Sequence, residues 1–245
     1  MKKLLFIINP MAGRQQAQTD LYKMVKIFAD HDYEVTVYPT RARLDCTRKV
    51  LEDAGRFDLV VCCGGDGTLN EMVSGMMQRQ DRRPMGYIPL GSTNDLAVSL
   101  RLPTRVEEAA LRAVTGNEFH MDVGTLNDRY FNYIAAFGAF TETSYATPQE
   151  IKNALGHLAY ILEGVKSLGK ILPIHVKITA DNEQFEEDYL FGAVTNTISL
   201  GGVLKLDPEK VLLDDGMYEL LLVKNPTNAL EAQAMLCLLY TSDAA

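Results

Sequence analysis

Short apolar runs alternate with segments of helical periodicity over residues 1–120. Leu4–Ile8 and Leu59–Cys63 are continuous apolar runs of strand length. Between them, Leu21 and Phe28 lie at the spacing of one helix face. Strands that alternate with helices of this length need crossover connections, which make neighbouring strands parallel. The alternation therefore predicts an N-terminal α/β lobe built on a mostly parallel sheet.

The pattern changes near residue 120 into a series of strands with few helices. The segments that predict strands are His120–Leu126, Tyr130–Ala136, Ile174–Thr179, Phe185–Asn196 and Met217–Lys224. The segments that predict helices are Gln149–Leu168 and Thr227–Leu239. Successive strands without intervening helices are typical of an antiparallel sheet. We therefore expect a two-lobed α/β fold, with an α/β domain over residues 1–120 and a β-rich domain over residues 121–245.

Charge is divided unevenly between these two parts of the chain. The net charge is −8, and residues 1–120 carry 16 basic and 15 acidic side chains, whereas residues 121–245 carry 8 and 17. Extended nucleic-acid binding needs a basic surface, which neither part supplies. The charge distribution therefore excludes nucleic acid from the expected partners.

Several features of the sequence bear on the cellular compartment. No apolar run approaches the roughly 18 to 20 residues that a membrane-spanning helix needs. Met1-Lys2-Lys3 is similar to the charged start of a signal peptide, but Asn9-Pro10 ends the apolar stretch that follows. The four cysteines are Cys46, Cys62, Cys63 and Cys237. They form no C-x-x-C pair, which predicts buried reduced thiols in a cytoplasmic protein.

The segment Gly64-Gly65-Asp66-Gly67-Thr68 directly follows one of the apolar runs and precedes a helix predicted from Leu69. Glycines let the backbone approach a ligand without interference from a Cβ, and free N–H groups at a helix N-terminus bind phosphate. The Asp66 carboxylate can hold a phosphate-bound Mg²⁺ or orient a hydroxyl. A tight turn with Thr68 as the helix N-cap would need fewer glycines, so the segment predicts a phosphate-binding loop.

Two further loops have the same position in the pattern. Asn9-Pro10-Met11-Ala12-Gly13 ends the first predicted strand, and Gly91-Ser92-Thr93-Asn94-Asp95 follows a strand predicted at Met85–Leu90. Either loop alone is compatible with a plain turn or an N-cap cluster. Open parallel sheets bind ligands outside the carboxyl ends of their strands. Three such loops together therefore predict one ligand-binding crevice.

Together these loops resemble the motifs of the diacylglycerol kinase catalytic-domain family, which includes the sphingosine kinases. The matching segments are Asn9–Gly13 (N-P-x-x-G), Gly64–Thr68 (G-G-D-G-T), Gly91–Asp95 (G-T-x-N-D), Asp122–Gly124 and Leu213–Met217, in the order of the family. Ser92 replaces the threonine of the third motif and keeps its hydroxyl. The similarity is greatest to the soluble bacterial lipid kinases.

The resemblance implies ATP as the phosphoryl donor, bound in a cleft between the two lobes. The residues that it assigns to ATP are Asn9, Pro10, Gly13, Thr40, Gly64, Gly65, Asp66, Gly67, Thr68, Leu69, Asn70 and Ser92. It also implies a structural Mg²⁺, held by the Asp215 carboxylate and the backbone carbonyls of Leu212 and Met217. Without the resemblance, Asp214-Asp215-Gly216 favours a simple hairpin turn.

The activity that the resemblance implies is transfer of phosphate from ATP to the hydroxyl of diacylglycerol, which gives phosphatidate. Residues 1–120 would then bind the nucleotide and residues 121–245 the lipid, with Asp66 as the catalytic residue within the chain. A lipid substrate implies transient contact with the inner face of the membrane, and a homodimer is compatible with the resemblance. Arg79, Arg82 and Arg83 favour a solvated loop, with contact to anionic lipid as the alternative.

The C-terminal end departs from the family pattern. Family members continue beyond Tyr240 with an acidic general base for the lipid hydroxyl and with strands that complete the second lobe, whereas Tyr240–Ala245 match nothing in the family. We therefore expect the general base beyond residue 245, exposed apolar surface on an incomplete second lobe, and ATP binding with impaired turnover.

Two other functions stay open from the residues. NAD kinases share the G-G-D-G-T motif, with its aspartate directed at a ribose hydroxyl, but Asn9–Gly13 and Gly91–Asp95 argue against that family. The second alternative, from a different class, is a nucleotide-binding module without catalysis. Binding of ATP without turnover would identify it.

Overall fold

The computed structural model describes residues 1–138, 141, 172–201 and 204–226. The chain divides into two compact units, of which the first spans Met1–Tyr133 and the second begins at Ile134. This division falls after the change in sequence pattern near residue 120, because a short hairpin beyond residue 120 packs against a helix of the first unit. The assignment of residues 1–120 to nucleotide binding and of residues 121–245 to lipid binding stays a prediction.

The first unit is built on a four-stranded parallel sheet. Its strands are β1 (Lys2–Ile8), β2 (Tyr33–Pro39), β3 (Leu59–Gly64) and β4 (Met85–Pro89), in the spatial order β2-β1-β3-β4. All three neighbouring pairs are parallel, which confirms the predicted parallel sheet. Because the strands are parallel, their carboxyl ends share one edge of the sheet.

Helices cover both faces of this sheet. They are α1 (Gln16–Thr19), α2 (Leu21–Asp30), α3 (Asp45–Asp53), α4 (Asp66–Met77), α5 (Asp95–Ser99) and α6 (Val106–Thr115), with 3₁₀ turns at Ala12–Gln15 and Ala54–Arg56. Alternate side chains of β1 enter two separate apolar clusters. Leu5 and Ile7 pack with residues of α3 and α4, whereas Leu4 and Phe6 pack with residues of α2 and α6. Burial of both faces explains why β1 and β3 contain continuous apolar runs in the sequence.

The remaining strands are antiparallel. They are β5 (Gly124–Leu126), β6 (Arg129–Phe131), β7 (Ile134–Gly138), β8 (Ile174–Ala180), β9 (Glu183–Thr195), β10 (Ser199–Leu200), β11 (Leu204–Lys205) and β12 (Glu219–Lys224). Strands β5 and β6 form the hairpin that packs against α4 in the first unit. In the second unit, β9 pairs with β7, β8 and β12, and β10 pairs with β11. The β-rich, antiparallel second lobe is therefore confirmed.

Several element bounds differ from the sequence prediction; for example, the strand predicted at His120–Leu126 is confined to β5 at Gly124–Leu126. The strand predicted at Tyr130–Ala136 is two strands, because Asn132-Tyr133 leave the ladder between β6 and β7. The helix predicted from Leu69 begins at Asp66, and its N-cap is Gly65. The interpretation of Thr68 as the N-cap is therefore wrong, and the glycine motif itself supplies the first turn of α4.

Some predicted features lie outside the described residues. They are the helices at Gln149–Leu168 and Thr227–Leu239, the cysteine Cys237 and the segment Tyr240–Ala245. The other three cysteines are buried free thiols, as the sequence predicts. None of the helices within the described ranges has the length and apolar character that a membrane crossing requires.

Candidate functional site

The parallel sheet brings the sequence-predicted loops to one edge. Backbone hydrogen bonds continue the ladder just beyond the ends of the strands. They run from Thr40 N–H to the Ile8 carbonyl (2.9 Å), from Asn9 N–H to the Cys63 carbonyl (2.9 Å) and from Leu90 N–H to the Gly64 carbonyl (2.7 Å). The loops that the sequence places after separate strands therefore start side by side.

The Asn9 side chain joins the first loop to the glycine motif. Its Nδ2 donates to Thr68 Oγ1 at 3.3 Å, and its Oδ1 accepts the Met11 N–H at 3.0 Å. Thr68 is buried, and its Oγ1 lies 2.5 Å from the position that a Cβ on Gly64 would take. The hydrogen bond from Asn9 to Thr68 therefore joins the first two loops, and the missing Cβ of Gly64 leaves room for the Thr68 side chain.

The rest of the first loop is a compact turn. The Ala12 N–H donates to the Asn9 carbonyl at 3.1 Å, and the Pro10 carbonyl accepts the Gln18 side chain at 3.1 Å. Gly13 has a φ of 59°, a left-handed conformation that favours glycine. The roles of Asn9 and Gly13 in the N-P-x-x-G motif are thus partly structural, because these residues shape the turn.

Gly65 and Gly91 bring the backbones of the second and third loops into contact. A Cβ on Gly65 would lie 3.1 Å from Gly91 Cα, and a Cβ on Gly91 would lie 2.7 Å from Gly65 Cα. Gly67 differs, because it is exposed and a Cβ there would meet nothing within 4 Å. Packing therefore requires glycine at positions 65 and 91, whereas Gly67 leaves the first turn of α4 open to a ligand.

Asn94 shapes the third loop. Its Oδ1 accepts the Gly91 N–H at 2.7 Å and the Tyr87 hydroxyl at 3.2 Å, and its Nδ2 donates to the Gly91 carbonyl at 3.0 Å. Asn94 has a φ of 51° and is the N-cap of α5, a left-handed position that asparagine tolerates well. Tyr87 was not predictable as a residue of the site, since nothing in the local sequence separates it from an ordinary strand residue.

Asp66 is the first residue of α4 and faces the third loop. Its Oδ2 accepts the Thr93 hydroxyl at 3.1 Å, whereas its Oδ1 is buried and has no hydrogen-bond partner among the described residues. Burial, and then the charge of Asp95, raise the pKa of Asp66 above its ordinary value; the Thr93 hydroxyl and nearby backbone N–H groups lower it in part. A buried carboxylate oxygen without a partner costs stability and is typical of a functional site.

Three other residues assigned to ATP have different environments. Leu69 is 5% exposed and packs in the core, so only its backbone is available to a ligand. Asn70 lies one helical turn after Asp66, and its Oδ1 is also buried without a partner in the described part of the chain. Residues four apart share a helix face, so α4 directs two unpaired oxygens to the same side. Ser92 is exposed on the third loop.

Glu71, which the sequence analysis did not single out, ties α4 to α3. Its carboxylate accepts the Leu44 N–H at 2.8 Å and the Cys46 N–H at 3.3 Å, and its carbonyl accepts the Thr47 hydroxyl at 2.8 Å. These bonds satisfy backbone donors at the N-terminus of α3, which otherwise have no partner within the helix. The only signal in the sequence was the position of Glu71 shortly after the glycine motif.

The three arginines of the predicted loop cluster are not equivalent. Arg79 forms an ion pair with Asp81 at 2.6 Å, and Arg83 donates to the Gly55 carbonyl at 3.0 Å. Arg82 is exposed. The interpretation of the cluster as a solvated loop therefore holds for Arg82, whereas Arg79 and Arg83 are engaged with the protein.

Asp215, the predicted metal ligand, lies in an exposed turn before β12. Its Oδ1 accepts the Met217 N–H at 2.9 Å, and Gly216 has a φ of 75°. Among the described strands, β12 pairs with β9 and the preceding β11 pairs with β10. The hairpin interpretation is therefore wrong, because the strands on either side of the turn do not pair with each other.

Asn196 and Glu219 flank this turn. Asn196 is fully buried, and its Nδ2 donates to the Leu213 carbonyl at 3.2 Å. Asn196 Oδ1 and Glu219 Oε2 are buried without partners among the described residues. Burial, and then the charge of Asp215, raise the pKa of Glu219. Oxygen donors of this kind fit a hard cation.

Side chains alone do not complete a metal site in the described ranges. There, no group of three or more His, Cys, Asp or Glu side chains could hold a metal ion. A cation at the Asp215 turn would therefore need backbone carbonyls, as the family resemblance implies for Leu212 and Met217. Both of these side chains are exposed.

Comparison with known proteins identifies the family. The diacylglycerol kinase catalytic domain matches residues 3–126. The chain is 37% identical over 226 residues to a diacylglycerol kinase of Bacillus subtilis, which covers 91% of this chain and 74% of that protein. It is 32% identical over 224 residues to a diacylglycerol kinase of Staphylococcus saprophyticus, covering 91% and 73%.

Solved structures agree with the sequence matches. The crystal structure of a diacylglycerol kinase from Bacillus anthracis has a TM-score of 0.74 and 28% identity, covering 96% of this chain and 77% of that chain. Another chain from the same organism has a TM-score of 0.83 and 29% identity, covering 98% and 78%. The fold, the site and these relatives define an enzyme of the kinase class. The chain belongs to the diacylglycerol kinase catalytic domain family.

Proposed function

We propose that the protein transfers the γ-phosphoryl group of ATP to the hydroxyl of diacylglycerol. A bond forms between the lipid oxygen and the γ-phosphorus, while the bond from that phosphorus to the β,γ-bridging oxygen breaks. ADP leaves, the hydroxyl proton passes to a base or to water, and phosphatidate is the product. The relatives named diacylglycerol kinase support the lipid acceptor.

The observation that carries this proposal is the contact of Gly65 with Gly91 beside the open first turn of α4. The N–H groups of a first helical turn have no intrahelical partner, and the positive end of the helix dipole favours phosphate. Gly67 is exposed and has no Cβ to screen this turn. These features support binding of the ATP phosphates here. The other residues proposed to line the ATP site are Asn9, Pro10, Gly13, Thr40 and Ser92.

In this proposal Asp66 acts at the transferred phosphoryl group. Its unpaired Oδ1 supplies a negative oxygen at the start of α4, which suits it to hold the Mg²⁺ of ATP or to orient the lipid hydroxyl. When bound, Mg²⁺ neutralises charge on the phosphates. Asn70 presents a second unpaired oxygen on the same helix face and is proposed to assist Asp66.

A second, structural Mg²⁺ is part of the proposal. The Asp215 carboxylate and the carbonyls of Leu212 and Met217 would hold it in the turn before β12. The unpaired Glu219 Oε2, close enough to Asp215 for their charges to interact, supports a cation there. A cation held there would offset the repulsion between the Asp215 and Glu219 carboxylates and so would stabilise the second unit.

The lipid substrate sets the proposed location. Diacylglycerol resides in the bilayer and ATP in the cytoplasm, so the reaction requires transient contact with the inner face of the membrane. We assign lipid binding to the second unit by analogy with the family. A homodimer stays a prediction.

The test uses the purified chain with radiolabelled ATP, Mg²⁺ and phosphatidylcholine vesicles that contain diacylglycerol. A rate of labelled phosphatidate formation at least about a hundredfold lower in Asp66→Asn than in wild type would support the proposal. A rate within about twofold of wild type, which is roughly 0.4 kcal/mol in the barrier, would refute the role of Asp66.

Two other acceptors, sphingosine in vesicles and NAD in solution, separate the alternatives. Label on either of these and none on diacylglycerol would overturn the proposed substrate. Calorimetric binding of ATP with no labelled product from any acceptor would instead establish a nucleotide-binding module.

A further inference from the structure

The geometry points to Thr93 as a positioning residue for Asp66, an inference that rests on the role proposed for Asp66 in phosphoryl transfer. Position 93 is the undefined position of the G-T-x-N-D motif, so the family resemblance assigns it no role. In the structure, its hydroxyl is a side-chain donor on the third loop to the Asp66 carboxylate, and the backbone N–H groups of Asn94 and Leu96 lie close to the same carboxylate.

The hydrogen bond determines which oxygen of Asp66 is free. Thr93 Oγ1 lies 3.1 Å from Asp66 Oδ2, and Oδ1 is left buried without a partner in the described residues. A carboxylate held at one oxygen loses freedom to rotate about its terminal bond. The bond therefore restrains the carboxylate and leaves Oδ1 as the oxygen without a hydrogen-bond partner in the described residues.

Thr93 is itself held in place from both sides. Asn94, the next residue, is joined to Gly91 by two hydrogen bonds and to Tyr87 by a third. Gly91 in turn packs against the backbone of Gly65. The loop that carries Thr93 is thus anchored to the glycine motif at Gly65, directly before Asp66. This anchoring fixes the position of the Thr93 backbone, from which the hydroxyl reaches Asp66.

Electrostatic interactions also act on the Asp66 carboxylate that Thr93 holds. Asp95, fully buried at the start of α5, is a like charge that acts on Asp66. Tyr87 also lies within electrostatic range of Asp66 and is neutral, since burial raises its pKa further above its ordinary value. The Thr93 hydroxyl, with nearby backbone N–H groups, opposes the unfavourable effects on the charged carboxylate.

The kinetic test compares Thr93→Val, which keeps the shape and removes the hydroxyl, with Thr93→Ser, which keeps the hydroxyl. Thr104→Val, at an exposed loop threonine, is the matched control. Loss of one hydrogen bond should lower kcat about three- to tenfold in Thr93→Val, with KM for ATP within about twofold of wild type. Thr93→Ser should keep at least about half of the wild-type kcat, and Thr104→Val should match wild type.

Other kinetic outcomes would overturn the inference. A kcat in Thr93→Val within about twofold of wild type would show that the hydroxyl does not position Asp66. A rise in KM for ATP with unchanged kcat would mean that Thr93 contacts the nucleotide. An equal loss in Thr93→Ser and Thr93→Val would indicate a structural role for the loop.

A spectroscopic readout does not depend on activity. In protein with ¹³C-carboxyl aspartate, the Asp66 resonance is assigned by its loss in Asp66→Asn. It should shift in Thr93→Val and stay near the wild-type position in Thr93→Ser, and an unshifted resonance in Thr93→Val would overturn the inference. An inactive wild-type protein that shows the expected shift would refute the proposed function while supporting the Thr93 contact.

Discussion

Gly91 and Asn94 bind each other through two reciprocal hydrogen bonds, from Gly91 N–H to Asn94 Oδ1 at 2.7 Å and from Asn94 Nδ2 to the Gly91 carbonyl at 3.0 Å. The pair closes the third loop into a ring. The ring places Gly91 against Gly65 and Thr93 against Asp66. A single asparagine in a left-handed conformation thus determines where two loop residues meet the glycine motif.

Gly91→Ala should separate the second and third loops. Its Cβ would lie 2.7 Å from Gly65 Cα and 2.6 Å from Asn94 Oδ1, so the backbone must move. We expect a loss of about 1–3 kcal/mol in the free energy of unfolding and ATP binding weakened at least tenfold. Urea unfolding and calorimetric titration with ATP and Mg²⁺ measure the two effects.

Gly67→Ala is the control for this substitution. A Cβ at Gly67 would meet nothing within 4 Å, and alanine favours the helix by up to about 1 kcal/mol over glycine. Its stability should equal or exceed that of wild type. Equal destabilisation by Gly67→Ala and Gly91→Ala would show that the backbone contact at Gly91 is not the cause.

Asp66→Asn should raise the melting temperature near pH 7.5. Burial and the Asp95 charge raise the pKa of Asp66 in the folded state above the unfolded value of about 3.9. The folded protein therefore binds the Asp66 proton more tightly than the unfolded chain does. Ionisation of Asp66 lowers the free energy of unfolding, and this loss is regained as the pH falls through the folded-state pKa toward about 3.9. The difference between variant and wild type should shrink toward pH 4. A difference that grows in acid would contradict the assignment, and Asp214→Asn is an exposed control.

Mg²⁺ should stabilise the protein through Asp215. A ligand that binds only the folded state raises the melting temperature by mass action, so wild type should melt higher in Mg²⁺ than in EDTA. Asp215→Ala should remove this difference, whereas Asp214→Ala, at the neighbouring exposed carboxylate, should keep it. Indifference of the wild-type protein to Mg²⁺ would reduce the Asp215 segment to an ordinary turn.

Asn196→Ala should loosen the turn that carries Asp215. The substitution removes the buried donor to the Leu213 carbonyl, which lies 3.2 Å away. Loss of a buried hydrogen bond costs about 1–3 kcal/mol when its partner is left unpaired. Urea unfolding should show this loss, together with a smaller stabilisation by Mg²⁺. Asn225→Ala, at an exposed residue after β12, should leave both quantities unchanged.

The buried thiols should be inert in the folded protein. Burial raises the pKa of Cys63 to about 12 and raises the pKa values of Cys46 and Cys62 further. The thiolate is the reactive form. In a Cys237→Ser background, a thiol reagent at pH 8 should therefore modify the remaining cysteines only as fast as the protein unfolds. Rapid stoichiometric labelling without denaturant would contradict this burial.

Local pattern was enough to predict the architecture of the first unit. The apolar runs at Leu4–Ile8 and Leu59–Cys63 are continuous because both faces of a parallel sheet are covered, and this property is visible residue by residue. The positions of the loops after strands follow from the same pattern. The parallel strands then place those loops on one edge, so the neighbourhood of Asn9, Gly64 and Gly91 was predictable.

The helix start was less predictable. The local pattern predicts a start of α4 at Leu69, and glycines are poor helix formers. The structure begins it at Asp66, with Gly65 as N-cap. Tertiary contacts act on this first turn, because Gly65 packs against Gly91 and Thr68 accepts a hydrogen bond from Asn9. The consequence is functional, because Asp66 then lies at the positive end of the helix.

Periodicity, glycine content and motif order are properties of neighbouring residues, so the two-part fold, the three loops and the family were predictable from local patterns. The contacts between atoms of those loops became visible in the folded chain. Thr93 and Asp66 are 27 residues apart in the chain, and Glu71 reaches Leu44 across the same interval. Such contacts depend on strand register and helix packing across the whole unit, which no local pattern encodes.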